Sequence, residues 1–145
     1  MELPPKILID SINDWCICHY KDKTFNSDAP SHFYTVIPVE NNKKLIKCII
    51  TSKIDKKKKY YNASRPEAVK SLIFINIDTF KFLTEESVID CNRAELISKE
   101  DLAEEIDRSH GFKIISRDFP DNLKEKVIQA IKNSPLVRNH IKKLL

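Results

Sequence analysis

Ser31-His32-Phe33-Tyr34-Thr35-Val36-Ile37-Pro38-Val39, Glu40-Asn41-Asn42 and Leu45-Ile46-Lys47-Cys48-Ile49-Ile50 decide the fold. Two β-rich runs joined by a short Asn-containing turn predict a hairpin. The second strand runs out in Thr51-Ser52-Lys53, two hydroxyls and an ammonium side by side, and Lys56 to Lys59 follow at once. Hydroxyl donors and concentrated positive charge at a strand end suit a phosphate-rich ligand. Pro30 and Pro38 bracket the first strand. Because proline cannot donate to a ladder, an edge or bulged strand is expected near Pro38.

Outside the hairpin, Lys6-Ile7-Leu8-Ile9-Asp10 and Trp15-Cys16-Ile17-Cys18-His19-Tyr20 read as short strands, and residues 21–30 as a polar loop. After the lysine run, residues 60–66 read as a second loop, and Ala68-Val69 as the start of one helical turn. Ser71 to Ile77 is nearly continuous in apolar residues, which predicts a strand buried on both faces. Val88 to Asn92 and Ala94 to Ile97 extend the sheet. Helices are expected over about 98–110, opened by Ser98 capping Asp101 and closed at Gly111, over 119–132 with Asp118 as cap, and over 134–145 from Ser134-Pro135. Phe112 to Ile115 reads as a short strand between the first two. Strands mostly before residue 97 and helices after it predict one α+β domain over 1–145. Its core, about residues 6–97, is a compact twisted antiparallel, barrel-like sheet with helices packed on one side and a helical C-terminal part.

At 145 residues the chain is long enough for a sizeable core. No apolar run approaches the roughly 18 residues of a membrane span, and Met1 to Pro5 lacks a basic, apolar leader, so a cytoplasmic protein without membrane contact is expected. Cys16, Cys18, Cys48 and Cys91 are expected as free thiols, and Cys16, Cys18 and His19 lack the second ligand pair of a zinc site. No metal or cofactor is expected. Charge is unevenly spread: residues 41–61 hold eight lysines against Asp55, a net of +7, and residues 78–109 hold ten acids against four bases, a net of −6. This predicts a basic face for a polyanion and an acidic face opposed to it.

At Thr51-Ser52-Lys53, after a strand and preceded by Phe33-Tyr34-Thr35-Val36-Ile37, the chain resembles the MazF/PemK-like toxin endoribonucleases, nearest their ToxN/AbiQ abortive-infection branch. A strand ending in Thr-Ser followed closely by lysine is that branch's motif. Phe82-Leu83-Thr84-Glu85-Glu86-Ser87-Val88-Ile89 resembles its Ser-Val stretch leading into a late strand. The resemblance covers roughly residues 30–107. It implies an SH3-like barrel, metal-independent cleavage of single-stranded RNA, and a place as toxin in a toxin-antitoxin or phage-defence system. An antitoxin, RNA or protein, would hold it inactive, with an oligomer of the two as one form. The Arg-Pro pair that opens the early strand of MazF-like members is replaced by Pro30-Ser31-His32, and His32 is the nearest candidate for the lysine found there in the ToxN-like branch.

Metal-free cleavage needs a base for the 2′-hydroxyl, donors for charge developing on phosphate, and an acid for the 5′-oxygen. His32, with an ordinary pKa of about 6.5, suits proton transfer. Thr51 and Ser52 suit phosphate hydrogen bonding, and Lys53 charge compensation. Lys44, Lys56, Lys57, Lys58 and Lys59 are candidate RNA contacts, with Tyr60, Tyr61 and Arg65 as platforms for unpaired bases. Every one of these also has a plain reading: His32 as a solvated strand start, Thr51 and Ser52 as turn caps, and the lysines and tyrosines as surface and packing. The alternative function is a non-catalytic nucleic-acid- or protein-binding module of the same barrel class.

Overall fold

The computed structural model describes residues 3–23, 30–107 and 111–145. The hairpin forms as the sequence predicts, from β2 (His32–Val39) and β3 (Lys44–Thr51), paired from Phe33↔Ile50 to Val39↔Lys44. Its turn places Glu40, Asn41 and Asn42 all at positive φ, 50°, 57° and 64°. Asparagine tolerates that region, which is why the reversal falls there. β1 (Cys16–Tyr20), β4 (Leu72–Ile75), β5 (Ser87–Asp90), β6 (Glu95–Ser98) and β7 (Phe112–Ser116) complete one seven-stranded antiparallel sheet in the order β4-β5-β3-β2-β1-β7. β3 is its hub. One edge pairs β2 throughout, while the other is shared, Lys44 to Lys47 with β6 and Ile50-Thr51 with β5. Among the described residues β4 and β7 are the two ends of the order and do not pair, so the sheet is open rather than a closed barrel.

Pro38 does not mark an edge strand, because β2 lies between β3 and β1. β1 pairs β2 only from His32 to Val36, so Pro38 overhangs its end and its missing N–H interrupts no ladder on that side. The strand expected at Lys6 to Asp10 is instead a short helix, α1 (Pro5–Asp10), started by proline at its first turn. Residues 56–64, expected as lysine run and loop, belong to α2 (Ile54–Ser64), followed after Arg65 by a 3₁₀ segment, Pro66–Ser71. The apolar run at 71–77 is a short edge strand rather than one buried on both faces: Phe74 is 55% exposed and Ile77 47%.

Helices cover both faces of the sheet, not one. On one face α1 and α3 (Lys99–Glu105) enclose Cys16, Cys18, Tyr20, Tyr34, Val36 and Leu45 with Ile9, Leu102 and Ile106. On the other, α4 (Asp121–Asn133) lays Leu123, Val127, Ala130 and Ile131 over Ile17, Ile37, Ile46 and Ile50. Each large aliphatic side chain buried in this way contributes about 1.5–3 kcal/mol. Ser98 caps α3 as expected, accepting from the Asp101 amide at 3.1 Å. The helix stops at Glu105 because Ile106 turns extended and bridges Asp22; residues 108–110 of the expected 98–110 helix lie outside the described residues. Pro120, not Asp118, occupies the cap position of α4, and the Asp118 amide instead donates to Ser116 Oγ. The last helix is only α5 (Asn139–Lys142); Ser134 does not open it but is buried, its hydroxyl donating to Asn92 Oδ1 at 2.7 Å. Among the described residues, no helix is long and apolar enough to cross a membrane.

Candidate active site

The hairpin register brings the site together. Phe33 faces Ile50, so one step further out the start of β2, His32, meets the end of β3, Thr51. By strand alternation both project to the side of Tyr34 and Ile49. The chain then turns sharply: Thr51 Oγ1 accepts from the Lys53 amide at 3.1 Å, and the Ser52 carbonyl accepts from the Ile54 amide at 2.9 Å. That turn exposes Ser52 and Lys53 and makes Lys53 the cap residue of α2, so the positive end of an 11-residue helix opens beside the strand end.

His32, Thr51, Ser52 and Lys53, the four candidate catalytic residues, line a single cleft of about 290 Å³. Phe82, Leu83, Thr84 and Glu85, from the loop between β4 and β5, also line it. Ser87, at the start of β5, closes it and donates to the Glu85 carbonyl at 3.1 Å. Phe82 and Ser87 belong to the late stretch, Phe82 to Ile89, that the sequence reading singled out for its resemblance alone. The cleft wraps the strand ends, so Phe33 and Ile50, which point to the other face, also reach it. Burial depresses the His32 pKa below its ordinary value, and the Lys53, His19 and Lys57 charges push the same way. Neutral imidazole is therefore the dominant form at neutral pH.

The basic residues divide. Lys56 and Lys59 are exposed on α2. Lys57 turns inward, its ammonium 3.0 Å from the fully buried Asp90 carboxylate, which also accepts from Tyr61 OH at 2.7 Å and from Asn92. Lys58 lies over the Phe74 ring at 4.9 Å. Tyr60 is 59% exposed, but Tyr61 is 1% exposed and packs, so it offers no stacking face. Arg65 is tied to Glu67 at 3.3 Å. Lys44 starts β3, seven residues from Thr51 or about 23 Å along the strand, and pairs with Glu40 at 3.5 Å. It is not part of the cleft.

The expected basic and acidic faces also meet inside the fold. Lys47, 5% exposed, has its ammonium 5.4 Å and 5.2 Å from the centroids of the stacked Tyr20 and Tyr34 rings, reaches Glu105 at 2.8 Å and Glu95 at 3.7 Å and donates to Tyr20 OH. With Lys57–Asp90, these pairs join the lysine-rich and acid-rich segments as a seam. All four cysteines are buried and free, and among the described residues no three His, Cys, Asp or Glu side chains converge as metal ligands. Sequence reasoning missed Phe33, Phe82 and Glu85 as site residues; the aromatic loop at 80–85 was the available signal. No protein-family model matches this chain, and no curated protein matches it.

Proposed function

We propose that the chain is a metal-independent endoribonuclease acting on single-stranded RNA, the toxin of a toxin-antitoxin or phage-defence system, working in the cytoplasm and restrained by an RNA or protein antitoxin. The observation that carries this is the convergence of His32, Thr51, Ser52 and Lys53 in one cleft, from two strand ends that only the hairpin register joins. The sharing of one β3 edge between β5 and β6 supports an opened relative of an SH3-like barrel.

Neutral His32 takes the proton of the 2′-hydroxyl, whose oxygen attacks phosphorus; the bond to the 5′-oxygen breaks, leaving a 2′,3′-cyclic phosphate. The Thr51 and Ser52 hydroxyls donate to the phosphate oxygens as charge grows on them, and the Lys53 ammonium offsets that charge and supplies the proton for the 5′-oxygen. Thr51 Oγ1 already accepts from the Lys53 amide, which leaves its hydrogen for phosphate.

Purified protein incubated in chelator with a mixed single-stranded RNA pool tests this. Cyclic-phosphate ends are expected, with losses of about 10²–10⁴-fold for His32→Ala and about 10²–10³-fold for Ser52→Ala. RNA left whole at high protein concentration, or variants cutting at the native rate, would overturn it and leave a binding module.

A further inference from the structure

β4 ends the sheet with one edge unclaimed. Among the described residues its only strand partner is β5, from Leu72↔Asp90 to Ile75↔Ser87. The Leu72 amide donates back to the Val69 carbonyl, not across to Asp90. Strand alternation therefore turns the Phe74 amide and carbonyl, and next the Asn76 amide, to the side away from β5. Open edges are ordinarily guarded by charge, proline or a bulge. β7, at the other end of the order, carries Lys113 and runs against a register shift in its pairing with β1. β4 is Leu-Ile-Phe-Ile in unbroken register. Phe74 stays 55% exposed even with the Lys58 ammonium over its ring, and Ile77 just beyond the strand is 47% exposed. On the other face α4 does not close over the strand: a groove of about 850 Å³ reaches Ile73, lined by Glu67 and Lys70 before β4 and by Asn122, Glu125 and Lys126 of α4.

The flanks of the strand point to what fits this edge. Lys70 stands four residues before Phe74 and Asp78 four residues after it, both exposed. A second copy of the chain, laid antiparallel with its two-fold axis at Phe74, brings each Lys70 to the end where Asp78 of the other copy lies. An isologous contact needs such self-complementarity, because one patch has to satisfy itself. The same placement makes the two Phe74 residues a hydrogen-bonded pair, each amide donating to the carbonyl of the other, with the Asn76 amide of either copy donating to the opposite Leu72 carbonyl. The Phe74 side chains become direct cross-strand neighbours on the α2 face, with Cβ atoms about 5 Å apart.

We propose that β4 is a dimerisation edge: two copies of the chain pair β4 with β4, antiparallel about Phe74, and join their seven-stranded sheets into one. The proposal does not depend on the nuclease reading. It bears on the cleft through residues 76–79, which begin the loop that supplies Phe82 to Glu85 and which the pairing fixes in place.

Sedimentation equilibrium of the purified full chain across the micromolar range at low salt tests it. A monomer–dimer equilibrium is expected. Phe74→Asp sets two carboxylates against each other at the axis and is expected to leave monomer only; an unchanged far-ultraviolet circular dichroism spectrum shows that the variant is folded. Lys70→Asp and Asp78→Lys each bring like charges together twice, once per symmetric contact, and are expected to weaken dimerisation about tenfold. Combining the two reversals restores opposite charges and is expected to recover the native constant, which neither a general loss of stability nor a different interface would do. A monomer throughout the range, a dimer that Phe74→Asp leaves intact, or charge variants that do not show this loss and recovery overturns the proposal.

Discussion

Replacing Asp90 with alanine tests what holds the lysine helix to the sheet. Asp90 is fully buried and accepts from Lys57 Nζ at 3.0 Å, Tyr61 OH at 2.7 Å, the Asn92 amide at 3.2 Å and Asn92 Nδ2 at 3.3 Å. Lys57 and Tyr61 come from α2, Asn92 from the turn after β5, so one carboxylate joins the two. Removing one partner of a buried charged pair costs about 3–5 kcal/mol. The Lys57 side chain is 23% exposed and regains water on release, which places Asp90→Ala near the lower end, about 3 kcal/mol. Lys57→Met leaves the fully buried carboxylate without its counter-charge, held by the Tyr61 and Asn92 donors alone, and is expected to cost about 3 kcal/mol as well. Urea unfolding with an unchanged m-value reads both. Because Asp90 and Tyr61 share a bond, Asp90→Ala should cost less in a Tyr61→Phe background. A free-energy change for Asp90→Ala within about 0.5 kcal/mol of native would refute this account of the helix's attachment.

Burial holds the His32 and His19 pKa values below the ordinary 6.5, so the folded chain resists protons that the unfolded chain accepts. The stability this gives is present above about pH 6.5 and is lost as pH falls through the folded values. Urea midpoints compared across that window for native protein and a His19→Gln, His32→Gln double variant should show a weaker acid decline in the variant. Glu105→Ala leaves the Lys47 ammonium buried with only Tyr20 and the more distant Glu95, and is expected to cost about 2 kcal/mol, whereas Lys47→Met puts an apolar chain beside the stacked Tyr20 and Tyr34 rings and should be near neutral. The reverse order in thermal unfolding would show that the pair does not brace α3. With Lys53, Lys56 and Lys59 the exposed lysines of the α2 region and Arg65 held by Glu67, single-stranded RNA affinity should fall with log salt at a slope of about −2; a slope of about −4 or steeper would mean that paired cations also engage phosphate.

The hairpin was legible because its pattern is local: period-two strands, a turn whose asparagines tolerate positive φ, and a polar exit. The cleft followed from it, since register alone carries His32 to Thr51. α2 was not legible. Its buried side, Ile54, Lys57 and Tyr61, has a lysine where a helical stripe calls for an apolar residue, and the partner that makes this tolerable, Asp90, lies 33 positions away in sequence. Leu72 to Ile75 misled for the opposite reason. An apolar run reads as doubly buried, yet an edge strand keeps Phe74 exposed, and the Lys58 stem and ammonium lie over its ring. At Lys6 to Asp10 propensity pointed to a strand, and Pro5 at a helix start, with Ile9 and Ile12 reaching the α3 side of the core, prevailed.

The internal meeting of lysine and acid segments changes what the basic stretch does for a polyanion. Read along the chain, eight lysines would draw RNA over a broad face by long-range attraction. In the fold, Lys47 and Lys57 are bound to Glu105 and Asp90, Lys44 is turned toward Glu40 at the far end of β3, and Lys58 covers an aromatic ring. What remains near the cleft is a short row rising from Lys53 along one side of α2. For an RNA strand, on the proposed reading, such a row would steer toward the helix's positive end but supply limited affinity by itself. On the endoribonuclease reading, discrimination and grip then fall to the cleft, where the His32 imidazole and the Thr51 and Ser52 hydroxyls gather. That reading expects a single strand to be held more tightly than a duplex, because a cleft of about 290 Å³ takes one unpaired nucleotide unit and no paired one.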